Sequence, residues 1–146
     1  MKKRTGEPWM PAADYSATLV GITLNLLVRD VAQSVEFANE VLGAETVYAD
    51  PDFAVLRNAA GEWCLHADHT YDHHPLYETL PGEDTRRGGG AEFRLHGIDP
   101  DAAEAAARGL GYTILSTSTN KGHGLRECYI LDPDGYTWVP DVLVQP

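Results

Sequence analysis

The segment from Leu125 to Val142, LRECYILDPDGYTWVPDV, constrains the fold of this 146-residue chain more than any other stretch. Two runs rich in Tyr, Ile, Val and Trp flank the tetrapeptide Asp132-Pro133-Asp134-Gly135, as in a β-hairpin. Pro133 has the fixed φ that the second position of a type I turn requires, and Gly135 suits the fourth position. We therefore predict two antiparallel strands that meet at this tetrapeptide.

A looser form of this hairpin occurs in the first half of the chain, where two apolar runs flank Asn58-Ala59-Ala60-Gly61. In both halves a strand and an Asp-capped helix precede the hairpin, and the matching positions are separated by about 70 residues. The repeat predicts two βαβββ modules. Each helix covers only one face of its small sheet, so we predict an α+β fold in which the paired modules form a curved mixed sheet, a cup, with the helices on its outer face.

The same pattern divides the chain into four parts. We predict an N-terminal arm at 1–18, a first module at 19–67, a connector at 68–90 and a second module at 91–146. The arm lacks hydrophobic periodicity and is expected to be loosely attached. The first module is expected to open with a strand over Leu19–Val28, followed by a helix capped by Asp30 and ended by Gly43. Asp99, with Pro100 after it, is expected to cap the second helix.

The composition narrows the classes of partner and compartment. The net charge of −11 at pH 7 argues against nucleic acid, because phosphate binding requires a basic face. The acidity would either favour cationic ligands or simply keep the protein soluble. No apolar run has the length of a membrane span or a signal peptide, so we expect a cytoplasmic protein with no membrane partner. Cys64 and Cys128, without zinc-ligand spacing, are expected to be buried free thiols.

The order of these elements resembles the vicinal oxygen chelate superfamily, which includes glyoxalases, extradiol dioxygenases, fosfomycin-modifying enzymes and bleomycin resistance proteins. The stretches that carry the resemblance are LLVRDVAQSVEFANEVLGAE and RECYILDPDGYTW, and the resemblance covers residues 19–143. It implies paired βαβββ modules that form a cup, usually in homodimers. Function varies widely within the superfamily, so the resemblance does not identify a reaction.

The resemblance also implies where a metal would bind. Enzymes of this superfamily usually hold a divalent metal with His and Glu side chains on the first and last strands of the modules, as a Lewis acid. Here Thr23 and Val139 occupy two of those positions, and neither is a plausible primary ligand. We therefore expect the standard site to be absent. The alternative is a displaced Zn, Ni, Mn or Fe site formed by His66, Glu92 and Asp141.

Two strands carry the remaining candidate site residues. Strict alternation in Glu92-Phe93-Arg94-Leu95-His96 places Glu92 and Arg94 on one face, where they either contact a ligand or form an ion pair. On the fourth strand the register is open: the hairpin offset points Trp63 into the cup, whereas the pattern of apolar neighbours points Cys64 and His66 into it, and we favour His66. The predicted ligand-binding residues are Thr23, Asn25, Trp63, His66, Glu92 and Arg94, with Glu92 also the candidate catalytic group.

The connector concentrates histidines. His66, His69, His73 and His74 lie within nine positions that also contain Asp68 and Asp72. This cluster could bind zinc or nickel adventitiously or form a lid that titrates near neutral pH, but a solvated loop with one or two histidines on the cup rim fits the spacing better.

Three functions fit the sequence. The first is a cytoplasmic homodimer, similar to bleomycin resistance proteins or glyoxalases, that binds a small organic molecule in the cup without the standard metal, with Asn25, Glu92 and Arg94 as polar anchors. The second is a lyase, isomerase or dioxygenase with a relocated divalent metal held by His66 and Glu92. The third is a non-catalytic regulatory dimer without a deep pocket.

Overall fold

Two four-stranded sheets with the same topology confirm the predicted duplication. The computed structural model describes residues 1–59 and 61–145, so that Ala60, in the first predicted hairpin turn, and Pro146 lie outside the described residues. A short helix α1 (Ala12–Thr18) precedes the first module, which contains β1 (Leu24–Val28), α2 (Val31–Glu40), β2 (Glu45–Ala49), β3 (Phe53–Asn58) and β4 (Gly61–Ala67). The second module contains β5 (Glu92–His96), α3 (Pro100–Leu110), β6 (Ile114–Asn120), β7 (Leu125–Leu131) and β8 (Thr137–Leu143).

Both sheets are mixed and follow one pattern. The first sheet has the order β1-β4-β3-β2 and the second β5-β8-β7-β6, and in each the first strand runs parallel to the last. These are the paired βαβββ modules that the repeat predicts, and within the described residues no strand pairing closes them into one barrel.

Local signals in the sequence account for the helix and turn positions. The carboxylate of Asp30 accepts a hydrogen bond from the Gln33 amide at 3.1 Å, and that of Asp99 accepts one from the Asp101 amide at 2.9 Å, as the predicted caps require. In the second hairpin the Gly135 amide donates to the Asp132 carbonyl at 3.0 Å, and Gly135 has φ +91°, which glycine adopts without strain.

The first strand is shorter than predicted. β1 begins at Leu24, not at Leu19, because its parallel partner β4 starts to pair with it only at Trp63, opposite Leu24. Gly21, at φ +70°, also interrupts an extended backbone. Val20 and Ile22 therefore lie outside the sheet and are 89% and 97% exposed.

One hydrophobic core joins the two modules. α2 packs on β2, β3 and β4, α3 packs on β6, β7 and β8, and the two helices contact each other. Trp63 packs on Trp138 with ring centroids 5.0 Å apart, and Phe37 packs on Tyr112 at the same distance. Cys64 and Cys128 are buried free thiols, as predicted. The face of each sheet that points away from this core is called its open face below.

Residues of the connector link the two modules through buried ion pairs and hydrogen bonds. Asp134, in the turn of the second hairpin, accepts a hydrogen bond from the Arg29 side chain at 2.9 Å and lies 3.6 Å from Arg87. Arg87, only 4% exposed, also donates to the Leu27 carbonyl and to Asp68. The second carboxylate of the DPDG motif therefore links the modules. Within residues 1–59 and 61–145, none of the helices is long and apolar enough to cross a membrane.

Candidate functional site

A cavity of about 550 Å³ lies between the N-terminal arm (residues 1–18) and the open face of the first sheet. Four aromatic rings line it, from Trp9 and Tyr15 of the arm and from Tyr48 and Phe53 of the sheet. Among residues 1–59 and 61–145, all of its lining residues fall between Lys2 and Thr70, so that the described part of the second module contributes none.

Pairing of β1 with β4 places the polar side chains on the floor of this cavity. The parallel register sets Asn25 beside Cys64 and Leu27 beside His66, and alternation along β4 puts Cys64 and His66 on the open face. Thr23 also lines the cavity. The favoured register of the fourth strand is therefore the observed one.

The alternative register, with Trp63 facing a ligand, is wrong. Trp63 is 3% exposed and lies in the core against Trp138, on the opposite face of β4 from His66. Asn58 pairs with Gly61 in the first hairpin, whereas Leu131 pairs with Thr137 in the second, so the two hairpins differ in length and counting residues from the second assigns Trp63 to the wrong face.

His66 is held in one orientation by its neighbours. Its Nδ1 hydrogen-bonds to Oδ1 of Asn25, whose side chain also hydrogen-bonds to Tyr71. The imidazole packs between Phe53 and Tyr71, with ring centroids 4.6 and 4.9 Å away. Burial, reinforced by the neighbouring His74, lowers the pKa of His66 to about 4. The ring is therefore neutral at pH 7, Nδ1 donates to the amide oxygen, and Nε2 is left as an acceptor.

Cys64 is shielded rather than activated. Its Sγ lies 3.2 Å from the Tyr15 hydroxyl, which itself donates to Glu62 at 3.1 Å. Burial raises the pKa of the Cys64 thiol, and burial together with the contact to Cys64 raises the pKa of Tyr15. The thiol is therefore protonated at neutral pH and poorly nucleophilic.

The arm is firmly docked, contrary to the prediction that it is loosely attached. Asp52 accepts hydrogen bonds from the amides of Lys3 and Arg4 at 2.7 and 3.1 Å and from Nε2 of His69 at 2.7 Å. Burial alone would raise the pKa of Asp52, but these bonds lower it to about 2. Further along, Trp9 stacks on Tyr48 at 5.4 Å. The buried carboxylate of Asp52 therefore anchors the start of the arm through two backbone amides.

Glu92 and Arg94 are placed elsewhere, on the open face of the second sheet. Arg94 donates to Glu92 at 3.0 Å and to Glu127, and lies 3.4 Å from Asp141. His96 contacts Asp141 at 2.8 Å. Burial would lower the pKa of Arg94, but its bonds to Glu127 and Glu92 raise it, so the guanidinium is charged. The ion pair that alternation allowed is thus observed, and Glu92 and Arg94 are not brought together with Asn25 and His66 around the cavity.

The candidate metal ligands are also separated. His66 lines the cavity of the first module, whereas Glu92 and Asp141 belong to the cluster on the second sheet. Among the described residues no three His, Cys, Asp or Glu side chains converge into a site for a metal ion. The side chains of this chain therefore do not assemble the displaced His66, Glu92 and Asp141 site. In the connector, His69 contacts Asp52, and His74 packs on Tyr71 at 4.4 Å.

Sequence reasoning missed Trp9, Tyr15 and Asp52. The two aromatic residues lie in a segment without periodicity, and Asp52 lies in a turn, where aspartate is common for local reasons. Large aromatic residues in an otherwise small and polar arm were the signal that could have indicated docking against a sheet.

Comparisons with known proteins agree with this architecture. A sequence model of the Glyoxalase/Bleomycin resistance protein/Dioxygenase superfamily matches residues 20–139. No curated protein matches the chain.

Solved structures show the same fold. A glyoxalase/bleomycin resistance protein/dioxygenase from Nocardioides is similar at 21% identity and a TM-score of 0.62, with 91% of each chain covered. A family enzyme from Burkholderia phytofirmans PsJN has 16% identity and a TM-score of 0.67, covering 84% of this chain and 97% of its own. A glyoxalase-related enzyme from Fulvimarina pelagi has 19% identity and a TM-score of 0.65, covering 86% and 88%. The chain belongs to the glyoxalase/bleomycin resistance protein/dioxygenase superfamily.

Proposed function

We propose that this protein binds a small, largely apolar organic molecule in the cavity between its arm and its first sheet, as a cytoplasmic homodimer. The observation that carries the proposal is the cavity itself: about 550 Å³, lined by four aromatic rings, with Asn25, Cys64 and His66 on the floor. Apolar walls with a few convergent polar groups are typical of small-molecule sites.

The chemistry of the floor favours binding over covalent catalysis. A nucleophile needs a lowered pKa or an adjacent base, but Cys64 has a raised pKa and contacts the hydroxyl of Tyr15. A general base works best with a pKa near the working pH, whereas that of His66 is lowered to about 4. These groups are suited to recognising a ligand through hydrogen bonds.

Unpaired sheet edges support the proposed dimer. Among the described residues, β1 and β5 each form one edge of their sheet, with β2 and β6 at the other edges, and the apolar segment before β1 exposes Val20 and Ile22 to solvent. A second copy that covered these edges would shield their unpaired backbone N–H and C=O groups from aggregation with other chains. We expect a dimer by analytical ultracentrifugation and a shift toward monomer in Ile22→Glu. A monomer at tens of micromolar, with no effect of the substitution, would contradict this part.

The binding proposal is tested with two variants, one in the wall of the cavity and one on the second sheet. Compounds that raise the melting temperature of the protein are titrated by calorimetry against Phe53→Ala, which removes a cavity wall, and against Glu92→Gln on the second sheet. We expect Phe53→Ala to weaken binding about tenfold and Glu92→Gln to leave it unchanged. Loss of binding in Glu92→Gln with none in Phe53→Ala would place the site on the second sheet and refute the proposal.

A further inference from the structure

The arm that forms one side of the cavity precedes the segment that the family model matches. The sequence match begins at residue 20, yet about half of the lining residues precede it, including Trp9 and Tyr15. The matched segment supplies the floor of the cavity, and the N-terminal arm supplies much of its wall. A segment of this kind is where a protein can acquire a ligand preference without changing its fold.

The wall is built from aromatic rings in contact with one another. Trp9 lies nearly parallel to Tyr48 at 5.4 Å and 19°, and is tilted against Tyr15 at 5.5 Å. Tyr15 meets Phe53 edge-on at 6.0 Å. Trp9 is still 39% exposed, so part of its ring surface is open to a further contact. Planar rings are the ligands that pack best on such a surface.

The floor offers one acceptor that its neighbours have fixed. Asn25 accepts from Nδ1 of His66, and Phe53 and Tyr71 hold the imidazole from its sides. Within the described part of the chain, Nε2 of His66 has no hydrogen-bond partner, although the ring lines the cavity. A ligand that covered this acceptor without donating a hydrogen bond to it would leave a desolvated polar atom unpaired.

We infer that the arm determines the ligand specificity of the site and selects a planar aromatic compound that carries an N–H or O–H group. The aromatic ring of this ligand packs on Trp9 and Tyr15, and its N–H or O–H group donates a hydrogen bond to Nε2 of His66. The inference rests on the proposed function, since it assigns a ligand class to the same cavity. The lining carries charges of both signs, with Glu7, Asp50 and Asp52 against Lys2 and Arg4, so the selection is assigned to ring packing and the donor rather than to net charge.

A matched pair of ligands tests the donor. Indole and 1-methylindole share a ring system, but methylation removes the N–H. By calorimetry at pH 7 we expect the wild-type protein to bind indole about tenfold more tightly, which is the usual consequence of one unmade hydrogen bond to a buried group. His66→Phe, which keeps the ring packing but removes the acceptor, should equalise the two affinities.

A second pair of variants tests the arm. Trp9→Leu should weaken indole binding about five- to tenfold while the far-UV circular dichroism spectrum stays the same, and Trp9→Phe should recover most of the loss. Equal affinity of the wild-type protein for both ligands would refute the proposed hydrogen bond from the ligand to His66. Full affinity of Trp9→Leu for indole would refute the role of the arm. The proposed function would stand in either case. If neither ligand binds, the ligand class is wrong, and the calorimetry with Phe53→Ala decides the proposed function separately.

Discussion

Replacing Asp52 with asparagine should undock the arm and destabilise the protein. Asp52 is 2% exposed and serves as acceptor for two backbone amides and for His69. An asparagine can offer one oxygen at most and carries no charge for the imidazole. The lowering of the Asp52 pKa from 3.8 to about 2 corresponds to about 2 kcal/mol of stability at neutral pH.

The sign of this contribution fixes its pH dependence. A carboxylate with a lowered pKa in the folded state stabilises the protein above its unfolded pKa and loses that effect as pH falls through the folded pKa. The difference between wild type and Asp52→Asn should therefore be full above about pH 4 and should disappear as pH falls toward about 2.

The measurement is urea denaturation at pH 7, combined with limited proteolysis of the arm. Asp72→Asn is the matched control, because Asp72 also contacts the arm, 3.8 Å from the terminal ammonium of Met1, but is 72% exposed. This substitution should lower the free energy of unfolding by less than about 0.5 kcal/mol. Asp52→Asn should also expose Trp9, with a red shift of its emission. If Asp52→Asn unfolds at the same urea concentration as wild type and its arm resists protease equally well, the proposed anchor is wrong.

Three further outcomes follow from the packing and charges. Trp63→Ala should cost about 3–5 kcal/mol in urea denaturation, because it empties a core position 3% exposed; a loss below 1 kcal/mol would contradict that placement. Arg94→Met should lower the free energy of unfolding by about 3 kcal/mol, because it leaves the buried carboxylate of Glu127 without its ion-pair partner, whereas Glu92→Gln should lower it by under about 1 kcal/mol. Equal effects of the two substitutions would contradict the buried ion pair between Arg94 and Glu127. The pKa of His66 is lowered from 6.5 to about 4, so between these pH values only the unfolded chain takes up the proton. The free energy of unfolding of the wild type should therefore fall by about 2–3 kcal/mol from pH 6.5 to pH 4, and that of His66→Gln should fall by less. Parallel pH profiles of the two proteins would contradict the lowered pKa.

The fold was predictable because its signals are local and occur twice. Asp30 and Asp99 each cap a helix through their own side chains, and the turn at Asp132–Gly135 is closed by bonds within the turn. A module built from such signals can be read from sequence without knowledge of tertiary contacts. The start of β1 was misjudged, since strand length depends on where a partner strand begins to pair, and the helix α1 in the arm was not predicted.

The site was only partly predictable because it depends on contacts between distant parts of the chain. Alternation along β4 separated its two faces but left open which one faces a ligand, and the pattern of apolar neighbours favoured the face with His66, which is the observed one. Nothing local indicates that Trp9 reaches Tyr48. Likewise, alternation showed that Glu92 and Arg94 share a face, but not that this face lacks the cavity. The resemblance predicted a cup of paired modules, usually in homodimers, and gave no indication that the arm would form a cavity on the first sheet.

Nuclear magnetic resonance of the nitrogen-15-labelled protein, titrated with indole, tests the location of the site most directly. Ligand in the arm cavity predicts shifts at the side-chain N–H of Trp9, at the amide of Asn25 and at the imidazole nitrogens of His66, with the amides of Arg94 and His96 unmoved. Shifts centred on Arg94 and His96, with Trp9 and His66 unchanged, would contradict the account.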